Sequence, residues 1–183
     1  MRIIAGKNKK TKLFSVEGRT ARPTSDFMKE VIFNVLQNCE NLKVLDLFAG
    51  SGALGLEAVS RGANSAVFVE FSDRSIKTIV KNIEKLNCKE ITRVYKKRVS
   101  SFLNWNEQKF DVIFLDPPYD KNLVNKTLKK ILENGILNSG GKIVAEHSVR
   151  EKILPELSGN IVFNRSTRNN QVSILSEEKD ENI

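Results

Sequence analysis

Val44-Leu-Asp-Leu-Phe-Ala-Gly-Ser-Gly-Ala-Leu-Gly-Leu-Glu-Ala58 is the stretch whose reading decides the fold. Its first half is an apolar run with Asp46 set into it, its middle a glycine turn, and its second half carries a helical pattern. Strand, loop and helix therefore follow one another within fifteen residues. Glycine at positions 50 and 52 lets the backbone turn sharply and approach a ligand, while the following helix offers amide N–H groups and the positive end of its dipole. Such a unit is a cradle for a carboxylate or a phosphate.

The choice of ligand turns on charge. Gly50, Gly52 and Gly55, with Glu70 at the end of the next strand-like run, also spell a dinucleotide fingerprint. Asp46 argues against that reading. A carboxylate near the carboxyl end of the strand repels a pyrophosphate and attracts a cation. S-adenosylmethionine suits the pattern: its sulfonium and ammonium are positive, its carboxylate suits the helix amides, and its ribose hydroxyls suit Glu70.

The chain has 183 residues, enough for one domain with a substantial core. It shows no apolar run of membrane-spanning length and no signal-peptide pattern, so a cytoplasmic protein is expected. Cys39 and Cys88 are isolated, with no His or Cys at metal-ligand spacing. Reduced structural thiols are expected, and no metal. Thirty basic against 22 acidic residues give a net charge of +8, which suggests a polyanionic partner. The excess is concentrated at the start, where Arg2, Lys7, Lys9, Lys10, Lys12, Arg19, Arg22 and Lys29 outnumber Glu17, Asp26 and Glu30. A basic run is more often a solvated face than a binding site, and the motifs elsewhere must decide between the two.

In chain order, residues 2–5 and 13–16 are strand-like runs around a lysine-bearing turn, the pattern of a small hairpin. Thr24 or Ser25 then caps a helix with Phe27, Met28, Val31, Ile32, Val35 and Leu36 on its core face. From Lys43 strands and helices alternate: strands 43–48, 65–70, 91–95, 110–115 and 142–146, with helices 53–61, 73–87, 100–104 and 122–134 between them. A helix from about 149, interrupted at Pro155, and two late strands, 161–166 and 171–175, complete the pattern. Alternation predicts an α/β fold with a mostly parallel sheet covered on both faces, and the last two strands an antiparallel edge hairpin. The expected divisions are a basic extension over 1–23, one α/β domain over 24–176 and an acidic tail over 177–183.

The second chemical motif is Asp116-Pro117-Pro118-Tyr119, directly after the apolar strand 110–115. Ligands of open parallel sheets bind beyond the carboxyl ends of the strands, so this turn and the glycine loop should share a cleft. An exocyclic amine on a nucleobase gives its lone pair to the ring and is a poor nucleophile. The Asp116 carboxylate and the Pro117 carbonyl suit its two N–H groups, aiming the lone pair and stabilising the positive charge that develops on transfer. Tyr119 offers a ring for an extruded base to stack on. By itself the motif also fits an ordinary Asp-Pro turn with a surface tyrosine.

The ordered set Arg2-Ile-Ile4, Arg22-Pro-Thr-Ser-Asp26, Asp46 to Ala58, Glu70 and Asp116-Pro-Pro-Tyr119 closely resembles the bacterial 16S rRNA guanine-N2 methyltransferases of the RsmD type, over nearly the whole chain. The resemblance implies a Rossmann-like class I methyltransferase fold with a seven-stranded sheet and a small N-terminal hairpin that helps hold RNA. It implies S-adenosylmethionine as donor and, as acceptor, one guanine (the 966-type site) of 16S rRNA in the small ribosomal subunit. Position by position, it implies that Asp46, Ala49, Gly50 and Gly52 hold the methionine part of the donor and Glu70 its ribose. Asp116, Pro117 and Tyr119 would hold and activate the guanine, and Arg2, Lys7, Lys9, Lys10 and Arg22 would meet RNA. No obligate protein partner is implied.

Two stretches depart from the family pattern. Where relatives tend to have an acidic or amide residue that reads the adenine amine, this chain has Arg98 and Val99; Arg cannot accept a hydrogen bond, so backbone groups near Val99 take that role. Before the last strand, Arg168-Asn-Asn-Gln171 replaces a glycine-containing turn, and Asn tolerates the same left-handed backbone. His147, the only histidine, has no visible acid or nucleophile partner and reads as structural. Trp105 reads as packing, and Lys96 and Lys97 fit a solvated loop or a phosphate contact equally. Three other readings share parts of the pattern: an adenine-N6 DNA or protein-amide methyltransferase, a nicotinamide enzyme, and a non-catalytic RNA-binding module.

Overall fold

The computed structural model describes residues 1–18, 26–119, 121–158 and 160–176. Arg19, Arg22, the expected caps Thr24 and Ser25, and the tail 177–183 lie outside the described residues. In chain order the elements are α1 (Asp26–Leu36), β1 (Lys43–Leu47), α2 (Ala53–Ser60), β2 (Ser65–Glu70), α3 (Asp73–Lys85), β3 (Thr92–Lys96) and α4 (Val99–Trp105). After these come β4 (Phe110–Leu115), α5 (Leu123–Glu133), β5 (Leu137–Ser148), α6 (Pro155–Ser158), β6 (Ile161–Ser166) and β7 (Asn170–Ser176).

The seven strands form one sheet in the order β3-β2-β1-β4-β5-β7-β6. The first five are parallel, while β7 runs antiparallel to both β5 and β6. Strand order reverses between β1 and β4, the place where such sheets open a crevice at their carboxyl ends. Residues of β1 alternate between two cores: Val44 packs with Phe68 and Phe114 beneath α1 to α3, and Leu45 and Leu47 pack with Ile113 beneath α4 and α5. Burial on both faces is why β1, β2 and β4 read as nearly continuous apolar runs.

Gly55 shows how closely α2 lies on the sheet. A Cβ there would stand 2.5 Å from Phe68 Cε1 and 3.1 Å from Asp46 Oδ2. Gly55→Ala is therefore expected to destabilise by about 1–3 kcal/mol, the usual range for overpacking, and to lower the melting temperature by roughly 2–12 °C. Differential scanning fluorimetry of the variant checks this; an unchanged melting temperature would show that α2 can shift without cost.

Four expectations need correction. The core face of α1 is Met28, Lys29, Ile32, Phe33 and Leu36, whereas Phe27 is 55% exposed. Lys29 is fully buried because its ammonium meets the Arg2 carbonyl and, at 3.4 Å, the Asp26 carboxylate. A buried cation is tolerated when it is bonded in this way. The hairpin pairs through a single bridge, Arg2 with Lys12, so its second arm begins before residue 13.

The helix expected from 149 does not form. Ser148 takes the Arg150 and Glu151 amides into a turn, and the side chains of Asn125 and Glu151 bind the segment to α5. Pro155 disfavours helix in the residue before it and instead starts the short α6. The fifth strand is also longer than its apolar run, beginning at Leu137, with an irregularity opposite β4 between Phe110 and Val112.

Candidate active site

The glycine loop leads from β1 into α2 and is bonded to the end of β2. Phe48, Gly50 and Gly52 all have positive φ, 59°, 59° and 78°, so the chain coils tightly between Leu47 and α2. The Ala49 amide donates to the Val69 carbonyl at 3.2 Å and the Gly50 amide to Glu70 Oε2 at 3.0 Å. Glu70 Oε1 accepts from the amides of Phe71 and Ser72 at 2.7 and 2.9 Å. This carboxylate is therefore fixed at the lip of the loop by three backbone donors. Of the residues expected to hold a donor, Asp46, Ala49, Gly50, Gly52 and Glu70 are brought together here.

Asp46 lies beneath the loop and is 3% exposed, its Oδ2 accepting from the Gly55 amide at 3.0 Å. Burial, with a smaller contribution from Glu70 and against the Gly55 bond, pushes its carboxyl up to about 8. A raised carboxyl pKa means that the folded chain holds a proton that the unfolded chain has lost. Stability from this group therefore falls as pH rises from about 4 to about 8. Asp46→Asn keeps the acceptor and removes the titration. Its melting temperature should gain on the wild type steadily between pH 5 and pH 8; parallel melting curves would show that Asp46 is ionised throughout.

Beside the loop, the guanidinium of Arg98 stands 4.5 Å from the centre of the Phe71 ring, and Phe71 is 55% exposed. Arg98 precedes α4, whose first residue, Val99, is buried. Sequence reasoning passed over Phe71; its signal is an aromatic residue immediately after the acid that ends β2. Trp105 packs edge-on against Tyr95 and Phe102, with the Lys97 ammonium over its ring, and Lys96 pairs with Asp73.

Across the strand-order reversal, Asp116 follows Leu115 at the end of β4. Pro117 is buried, while Tyr119 is 37% exposed. The Tyr119 hydroxyl donates to Glu146 Oε1 at 3.1 Å and accepts from Asn170 Nδ2 at 2.8 Å. Asn170 Nδ2 also reaches Glu146 Oε1, at 3.1 Å. Partial burial, then the carboxylates of Asp116 and Glu146, raise the phenol well above its usual range. Tyr119 stays neutral, with the Glu146 carboxylate at its hydroxyl. Glu146 and Asn170 escaped the sequence reading. The only local signal for Glu146 is an acid at the end of an apolar strand, and Asn170 was noted only as part of a turn.

The N-terminal segment is seated on α2. Buried Glu57 accepts from the Ile4 and Ala5 amides at 2.8 and 3.0 Å and pairs with Arg61 at 2.8 Å. The Lys7 amide donates to the Ser60 carbonyl at 2.8 Å. Asn82 exchanges bonds with the Phe14 backbone and also donates to the Ser51 carbonyl, so one side chain ties this segment to the glycine loop. Lys9 and Lys10 are exposed at the turn, whereas Arg2 pairs with Asp26 at 3.0 Å. His147 is buried, its ring nitrogens 3.0 Å from the Ser148 carbonyl and 3.0 Å from the Ser173 hydroxyl, in the structural role expected. Cys39 and Cys88 are buried free thiols. Among the described residues no group of His, Cys, Asp or Glu could hold a metal ion, and no helix is long and apolar enough to cross a membrane.

The family model described as Conserved hypothetical protein 95 matches residues 1–176. Over 174 residues, the chain is also 34% identical to Escherichia coli ribosomal RNA small subunit methyltransferase D, covering 94% of this chain and 87% of that one. It belongs to the RsmD family. Another RsmD-type relative, ribosomal RNA small subunit methyltransferase D of Haemophilus influenzae, is 37% identical over 150 residues, 80% of this chain and 78% of that one. The solved structure of Escherichia coli yhhF superposes with a TM-score of 0.84 at 30% identity, covering 97% of this chain and 99% of that one. The RsmD fold is thus a Rossmann-like, class I methyltransferase sheet with an antiparallel C-terminal hairpin.

Proposed function

We infer that this chain transfers a methyl group from S-adenosylmethionine to the exocyclic N2 amine of one guanine in 16S rRNA, the 966-type site of the small subunit. The observation that carries this reading is the pairing of two motifs at the carboxyl ends of neighbouring strands: the glycine loop after β1 and Asp116-Pro117-Pro118-Tyr119 after β4. The family's curated relatives, which include small-subunit rRNA methyltransferases, support the acceptor class.

The residues fit the donor. The tight turn through Gly50 and Gly52 leads into α2, and the carboxylate of Glu70 is held at the lip of the loop. Asp46 owes its raised pKa to burial and, less, to a neighbouring acid, and a cation bound nearby opposes both by favouring the ionised carboxylate. When bound, S-adenosylmethionine supplies an electrophilic methyl group. Asp46, Ala49, Gly50 and Gly52 hold its methionine part, Glu70 its ribose, and Val99, with Phe71 beside it, its adenine.

For the acceptor, Asp116 and the Pro117 carbonyl accept the two amine N–H groups and leave the nitrogen lone pair directed at the methyl. Asp116 stabilises the positive charge that develops on nitrogen. Tyr119, its hydroxyl anchored by Glu146 and Asn170, presents its ring to the base. The extension over 1–23, with Lys7, Lys9, Lys10, Arg2 and Arg22, lies along the RNA, while 24–176 carries the chemistry in the cytoplasm.

Equilibrium titration separates this from the nicotinamide reading, which shares the glycine pattern and Glu70. The chain should bind S-adenosylmethionine, Glu70→Gln should weaken it, and NAD should not compete. Tight NAD binding without affinity for the methyl donor would overturn the proposal.

A further inference from the structure

We propose that Glu146 reads the Watson–Crick edge of the acceptor base and is the residue that selects guanine. This rests on the guanine-N2 reading above and adds the discriminating contact. Glu146 is 5% exposed at the end of β5, the strand beside β4. The register pairs Leu115 with Ala145, so Glu146 is the next residue of its strand just as Asp116 is the next of β4. Glu146 takes the Tyr119 hydroxyl bond, and the charges of both carboxylates raise the pKa of that phenol.

Glu146 is oriented from two sides. Its Oε1 accepts the Tyr119 hydroxyl and Asn170 Nδ2, each at 3.1 Å. Asn170 also lines a cavity of about 530 Å³ with Thr167, Arg168 and Asn169, so the cluster adjoins open space at the turn between β6 and β7. A buried carboxylate beside an amine-holding turn has a definite preference. In guanine the ring atom next to the N2 amine is N1–H, a donor; in adenine the ring atom next to the N6 amine is N1, an acceptor. An ionised carboxylate accepts from the first in a charge-assisted bond and repels the lone pair of the second. A site built around such a bond rejects a base that leaves its buried polar group unpaired. Asp116 and Pro117 recognise an amine on any base, and Glu146 supplies the choice among bases.

The test compares guanine with 2-aminopurine at the acceptor position of reconstituted small subunits. 2-Aminopurine keeps the 2-amine but has an unprotonated N1. Single-turnover transfer is measured for the wild type and Glu146→Gln, with donor affinity and melting temperature confirming that the variant is folded. The wild type should prefer guanine by about 10- to 100-fold. Glu146→Gln, whose amide can donate to N1, should lose rate on guanine and bring the ratio of the two rates towards one. An equal loss on both bases would mean that Glu146 only positions Tyr119, and an unchanged ratio at unchanged rate would mean that it does not meet the base; either overturns the proposal. Failure of the wild type to methylate guanine at all would instead sink the underlying functional reading.

Discussion

Asp116→Ala is expected to lower the single-turnover rate of methyl transfer by about 10²- to 10³-fold, the usual loss on removing one preorganised group that meets developing charge. Donor affinity should stay near the wild-type value, because Asp116 belongs to β4 and the donor loop is held through Glu70 and Asp46. The loss should therefore appear in the chemical step and not in donor binding. Asp116→Asn separates two roles. The amide keeps an acceptor oxygen for the amine but cannot take a proton at neutral pH. Near wild-type single-turnover rates for Asp116→Asn across pH would remove the general-base role from Asp116 while its hydrogen-bond role survived.

Gly6→Ala is expected to unseat the N-terminal segment. Gly6 has φ of +81°, and a Cβ there would stand 1.8 Å from the Ser60 carbonyl oxygen and 2.3 Å from its carbon. Both atoms are backbone within α2 and its end, so the segment must move. Undocking gives up the Lys7 and Asn8 bonds to Ser60 and leaves Glu57 with only Arg61 of its three partners named above. Trypsin should cut the 7–12 lysines faster, and transfer to RNA should fall at least tenfold if these lysines carry phosphate contacts. Binding of the methyl donor should persist. Wild-type proteolysis with wild-type transfer would mean that the turn can rearrange over Ser60 without cost.

How much of this was legible in the sequence depended on whether the signal was local. The strand, the turn and α2 could be read from one stretch because Gly50, Gly52 and Gly55 mark places where the backbone coils or approaches a neighbour. Asp116-Pro-Pro-Tyr119 was legible for the same reason, being four consecutive residues after a buried strand. Glu146 and Asn170 were not, since their meaning comes from β5 and β7 pairing antiparallel beside β4, which brings both to Tyr119 across the sheet. Lys29 misled the reading of α1: its charge suggested a solvent face, but the docked hairpin supplies the Arg2 carbonyl that lets it be buried. Pro155 was read as interrupting a helix when it begins one, because the bonds of Asn125 and Glu151 to the preceding segment join residues 27 to 29 positions apart.

Transfer of labelled methyl from S-adenosylmethionine to small ribosomal subunits from cells lacking this activity tests the central claim most directly, with naked 16S RNA, duplex DNA and Asp116→Ala alongside. The proposed function predicts label on the N2 amine of a single guanine in 16S rRNA, abolished by Asp116→Ala. Donor binding without any label in rRNA, or with label in DNA or protein instead, would contradict it.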